Sequence, residues 1–186
     1  MCTKGPPSYN DSFFDSSVWK KILVAFCVNL FIVPLTLSLI YYFGFITQTA
    51  PELLAGFKSS YPQFFHPLNK IDDFFLSGVL RPAVLEEFAY RGPVRILLGL
   101  VFVTGAIYKR PAYVVAIILG LALNFLWAVK LHRTDQLLWL PIFISGLCWL
   151  WLTMTTKRIW PAQVAHGLGN FSIYILLKFA SVFALV

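Results

Sequence analysis

Residues 74–100 read FFLSGVLRPAVLEEFAYRGPVRILLGL, and this stretch decides the fold. It is long enough and apolar enough for a membrane helix, yet it holds Glu86, Glu87 and Arg91. Ionisable side chains at bilayer depth cost roughly 2.5–3.5 kcal/mol each on insertion scales. Residues that costly are paired, face a wet cavity or do chemistry. On a helix, Glu87 and Arg91 share a face in the favourable order, carboxylate before cation. Glu86 lies about 100° round from Glu87. The spacing predicts that Arg91 neutralises one glutamate while the other stays available, which is what a general base needs.

The rest of the chain is equally apolar. Of its 186 residues, 59% are hydrophobic and 12% charged, with a mean hydropathy of +0.75. A soluble domain is nearer about 45–50% apolar and about 25% charged. The chain reads as an all-α, polytopic bundle of about five to six transmembrane helices. The net charge of +7 does not call for nucleic acid, because the basic residues sit at segment ends. Lys20-Lys21, Lys109-Arg110, Arg133 and Lys157-Arg158 can snorkel there to lipid headgroups. Cys2, Cys27 and Cys148 form no metal or disulfide pattern.

Taken in order, residues 1–18 are rich in Gly, Pro, Ser, Asn and Asp and read as a mobile tail before one membrane domain, 19–186. The first apolar run is too long for a signal-peptide core and reads as an uncleaved anchor. Helix one is expected from about Val18 to Ile46, kinked at Pro34. A proline-rich loop follows, from about Thr47 to Leu68. Helix two is expected from Ile71 to Arg91, bent at Arg81-Pro82. Gly92-Pro93 should end or break it. Helix three then covers Val94 to Tyr108, helix four Ala112 to His132, helix five Leu137 to Met154 and helix six Ile159 onward. Counting six spans from a cytoplasmic start places Lys109-Arg110 and Lys157-Arg158 outside, against the positive-inside bias. If segments two and three do not both cross, the parity changes.

Other polar residues stand inside these spans. His166 and Asn170 are four apart on helix six, beside Gly167 and Gly169, which let a neighbouring helix approach closely. Asn124 and His132 are the polar members of helix four. Glutamates, imidazoles and an amide converging in an apolar bundle make an acid–base site, with a carboxylate activating water and N–H groups facing an oxyanion.

Glu86-Glu87-x-x-x-Arg91, followed by His166-x-x-x-Asn170 after Arg158-Ile159-Trp160-Pro161-Ala162, resembles the CAAX-protease and bacteriocin-processing membrane endopeptidases, which include the type II CAAX prenyl endopeptidases. The resemblance runs from about Phe74 to Ser172. It implies that Glu86 activates water, that His166 and Asn170 stabilise the oxyanion, and that Arg91 holds the pair formed by Glu86 and Glu87. The pattern's middle motif, Phe-x-x-x-His, is not matched: Phe125 is followed four residues on by Val129. His132 lies a turn further along and is the candidate to supply that imidazole.

The resemblance also implies a peptide substrate at the membrane, either a prenylated C-terminal tripeptide or, in prokaryotic relatives, a bacteriocin leader. The short chain fits a prokaryotic, multi-pass protein of the cytoplasmic membrane, with lipid as its surroundings. Glutamate and histidine are also zinc ligands. The helical His-Glu-x-x-His arrangement is absent, which favours a metal-free water; a divalent metal is the alternative, and no other cofactor is implied. Two rival readings stand beside the enzyme. One is a non-catalytic relative, an immunity or scaffolding protein. The other is a small transporter, since intramembrane ionisable residues also mark ion paths, although no matching broken helices recur in two halves.

Overall fold

The computed structural model describes residues 15–45, 49–103, 109–131 and 139–182. The described residues form six helices and no strand. α1 spans Ser16–Tyr42 and starts on Asp15, whose carboxylate accepts the Ser17 N–H at 2.9 Å. It stops short of Ile46 because Gly44 takes a φ of +73° and the Phe43 N–H returns to Leu39 O at 2.9 Å. Residues 1–14 lie outside the described part.

The expected loop before residue 68 is instead largely helical. α2 spans Ala50–Ser60, followed by 3₁₀ turns at Pro62–Phe65 and Leu68–Lys70. Thr49 and Glu52 form a capping box, with the Thr49 N–H donating to Glu52 Oε2 at 2.7 Å. Pro51 falls in the first turn, where a missing N–H costs nothing, so a residue that suggested a loop helps begin a helix.

α3 is one unbroken helical run over residues 71–103. It opens with an α-helical turn, Ile71–Phe74, passes through π-helical stretches at Phe75–Leu80 and Pro82–Glu86, and finishes as regular α-helix, Glu87–Val103. The wide turns lie on either side of Arg81-Pro82, where the proline has no N–H to return four residues back. Gly92-Pro93 does not end the helix as its propensity suggested: Pro93 lies inside it. The segment beyond is held by packing, with Val94 and Leu98 fully buried against Ala116 and Leu150. Proline inside a helix is tolerated where neighbouring helices support it. Expected helices two and three are therefore a single element.

α4 (Lys109–Leu131), α5 (Trp139–Thr156) and α6 (Trp160–Val182) complete the bundle. By length and composition, three of the described helices can cross a membrane, over Ser16–Tyr42, Pro111–Lys130 and Trp139–Thr156. The chain is a polytopic helical membrane protein.

Contacts along the helices set their directions. α3 and α6 run antiparallel. Phe74 stacks on Tyr174 at 4.0 Å, Asn170 reaches Gly78, and Glu87 meets His166. α4 and α5 are antiparallel too: Gly120 faces Leu150, and Asn124 Nδ2 donates to Phe143 O at 2.8 Å. At the start of α1, Trp19 packs on Trp160 at 5.7 Å and Lys21 reaches Thr155 O. One end of the bundle thus holds the starts of α1, α4 and α6 and the ends of α3 and α5. Because α3 is a single helix, Lys20-Lys21, the Lys109-Arg110 start of α4 and Lys157-Arg158 all come to that end.

Candidate active site

Halfway along the bundle, α3 meets α4, α5 and α6 in a polar cluster. Glu87 (0% exposed) and Arg91 (1%) sit one turn apart, with Arg91 Nε at 3.4 Å from Glu87 Oε2. That contact is an ion pair without hydrogen-bond alignment, since neither atom has a hydrogen bond among the described residues. The other carboxylate oxygen, Oε1, lies 2.9 Å from His166 Nδ1 on α6. Arg91 continues inward, where Nη2 donates to Asn124 Oδ1 at 2.9 Å and to Gly146 O at 3.4 Å. Asn124 is oriented in turn by its bond to Phe143 O.

Burying such a set requires that its members satisfy one another, because an unpaired charge left in a dry interior costs about 3–5 kcal/mol. Gly146 makes room for the closest approach. A Cβ there would overlap the Asn124 side chain and come within 2.8 Å of Arg91 Nη2.

Glu86 is outside that cluster. It is half-buried and lines a cavity of about 330 Å³ together with His166, Asn170, Asn29 and Ser145. The rest of the wall is largely apolar, with Phe26, Leu30 and Leu37 from α1, Phe57 from α2 and Leu176 from α6. Trp127 on α4 donates its Nε1–H to Glu86 Oε2 at 2.7 Å. The same indole lies under the Arg91 guanidinium, 4.5 Å from its carbon, and meets the His166 ring edge-on at 5.9 Å. Trp149 stacks parallel to His166 at 6.0 Å.

Asn170 faces the cavity one turn beyond His166 and donates Nδ2–H to Gly78 O at 2.9 Å. The second Nδ2–H of Asn170 remains for another acceptor.

The structure thus brings Glu86, Glu87, Arg91, His166 and Asn170 together. His132 lies outside the described residues. Phe125 points outward, 61% exposed, and packs edge-on with Phe143. The α4 residues that reach the site are Asn124 and Trp127. Sequence reasoning passed over Trp127, Gly146 and Ser145. The i, i+3 spacing of Asn124 and Trp127 was the available signal, since it sets both on one face.

Among the described residues, no three His, Cys, Asp or Glu side chains gather where they can hold a metal ion. Glu87, the best-placed donor, is already shared by Arg91 and His166.

Around the apolar cavity of this helical bundle stand a carboxylate, an imidazole and an amide. Residues 73–172 match the sequence profile of the Rce1-like type II CAAX prenyl endopeptidases. The chain belongs to that family, which is a protease family. No curated protein and no solved structure matches it.

Proposed function

We propose that the chain is an endopeptidase that cleaves a peptide presented within the membrane, with Glu86 as the base that activates water. The observation that carries this reading is the shared cavity: Glu86, His166 and Asn170 line one apolar chamber, while Glu87 is occupied with Arg91. Glu86 takes a proton from water, and the water oxygen attacks the peptide carbonyl carbon. The carbonyl oxygen becomes an oxyanion facing the free N–H of Asn170 and the imidazole of His166. Glu87 Oε1 lies 2.9 Å from Nδ1 of His166 and so orients the ring toward the cavity. The C–N bond then breaks, and Glu86 returns its proton to the leaving amine. Every step uses side chains of this chain.

The apolar wall supports a substrate with a hydrocarbon or strongly apolar segment beside the scissile bond, and family membership supports a prenylated C-terminus. The test is cleavage by purified protein in liposomes, read by mass spectrometry. The panel holds farnesylated CAAX-type peptides, their unmodified forms and hydrophobic leader peptides, each with and without chelator. Wild type is expected to cleave the lipidated peptides and Glu86→Gln to leave them intact. Equal cleavage by Glu86→Gln, or none by wild type across the panel, overturns the reading.

A further inference from the structure

We propose that Trp127 is the positioning residue for Glu86, fixing one carboxylate oxygen so that the other faces the water. The inference rests on Glu86 being the base. Indole is a donor only, and its pKa keeps the N–H in place at any pH the protein meets. Trp127 therefore cannot share in proton transfer, as an imidazole in its place would.

Its bond to Glu86 Oε2, at 2.7 Å, instead pins the carboxylate's rotation. With Oε2 engaged, Oε1 is left to take the proton. The indole is itself immobile. It is 3% exposed, capped on one face by the Arg91 guanidinium and braced by the edge of His166. One turn earlier on the same helix, Asn124 holds Arg91. A single face of α4 thus grips both the neutralised pair and the free glutamate, and Trp127 touches both. This linkage sets the position of Glu86 relative to Glu87 by more than their adjacency in the chain. It also explains how the site is organised from α4 without a histidine four residues after Phe125.

The experiment uses the full chain in lipid nanodiscs with ¹⁵N-labelled tryptophan. The Trp127 Nε1–H resonance is assigned by its loss in Trp127→Phe. In Glu86→Ala that resonance is expected to move upfield, as a charged acceptor is removed; an unmoved resonance overturns the contact. In the cleavage assay, Trp127→Phe keeps a ring beneath Arg91 but has no N–H. It is expected to lower kcat about tenfold or more, with KM within about twofold, and to leave the melting temperature near that of wild type. An unchanged kcat, or a rise in KM alone, overturns the positioning role. If wild type cleaves no peptide, the endopeptidase reading fails, and the NMR comparison still decides whether Trp127 holds Glu86.

Discussion

The side chain of Asn170 bonds to the carbonyl of Gly78 across 2.9 Å, in the π-helical stretch of α3. An amide of α6 thus ties down the backbone of α3, and the same amide faces the cavity. Asn170→Ala should therefore cost about 0.6–1.5 kcal/mol of stability as well as turnover. Asn170→Asp keeps the size but has no N–H to give the carbonyl, and should lose about as much. Unfolding in detergent beside turnover checks both variants; unchanged stability in both would show that the amide does not serve this carbonyl.

The adjacent glutamates should fail in different ways. Glu86→Gln is expected to reduce turnover at least about 10²-fold with stability within about 0.5 kcal/mol of wild type. Glu87→Gln leaves Arg91 without its counter-charge in a dry interior, and about 3–5 kcal/mol of destabilisation is expected. Adding Arg91→Met should recover part of that loss. Melting temperature beside turnover for the three variants checks the assignment, which fails if the two single variants behave alike.

Gly146→Ala should destabilise by about 1–3 kcal/mol, because the added methyl overlaps Asn124 and crowds Arg91. Gly56 on α2 has nothing within 4 Å of its would-be Cβ, so Gly56→Ala is the matched control. The control should be neutral or slightly stabilising. Equal melting temperatures for the two variants would mean that the Arg91–Asn124 contact is looser than described.

Outside the bilayer, the start of α1 should respond to acid. Hydrogen bonds from the Ser17 side chain and backbone hold the Asp15 carboxyl below the usual carboxylate range. A depressed pKa stabilises the fold above the unfolded value, about 3.9, and that contribution is lost as pH falls through the folded one. The protection of the Val18 and Trp19 amides, whose N–H groups return to Asp15 O, should fall below about pH 4 once the intrinsic pH dependence of exchange is divided out. In Asp15→Ala this acid-dependent part should vanish. Persistence of the same acid response in that variant would assign it to another group.

The bundle end that holds Lys20, Lys21, Lys157 and Arg158 should face the cytoplasm. Lys20-Lys21 begin α1, and no basic residue follows until Lys58, the asymmetry that orients a first helix. In a background with the native cysteines replaced by serine, an impermeant maleimide applied to intact cells should label Lys58→Cys and spare Lys157→Cys. The opposite labelling would invert the protein.

The sequence shows some of this plainly and hides the rest. Glu87 and Arg91 could be paired from spacing alone, because four residues on a helix is a local geometry. His166 and Asn170 could be set on one face for the same reason. The passage of α3 through Gly92-Pro93 could not be seen, since proline's penalty is local while its compensation comes from Ala116 and Leu150 on other helices. α2 was hidden by a proline that is unfavourable inside a helix and harmless in its first turn. Trp127 was missed because its partner depends on how α4 is rotated against α3, a property of packing rather than of either helix. The expectation of two helices where α3 is one came from Gly92-Pro93.

The burial of Glu87 and Arg91 also bears on how the protein is made. α1, α4 and α5 are apolar enough to partition into lipid on their own. α3 carries Glu86, Glu87 and Arg91; Glu87 and Arg91 pair with each other, and their other partners come later in the chain: Asn124 and Trp127, then Gly146, then His166. The full set can close only once α6 has been made. A chain stopped before Trp160 would hold a carboxylate lacking its imidazole partner, so the order of synthesis puts completion of the site at α6.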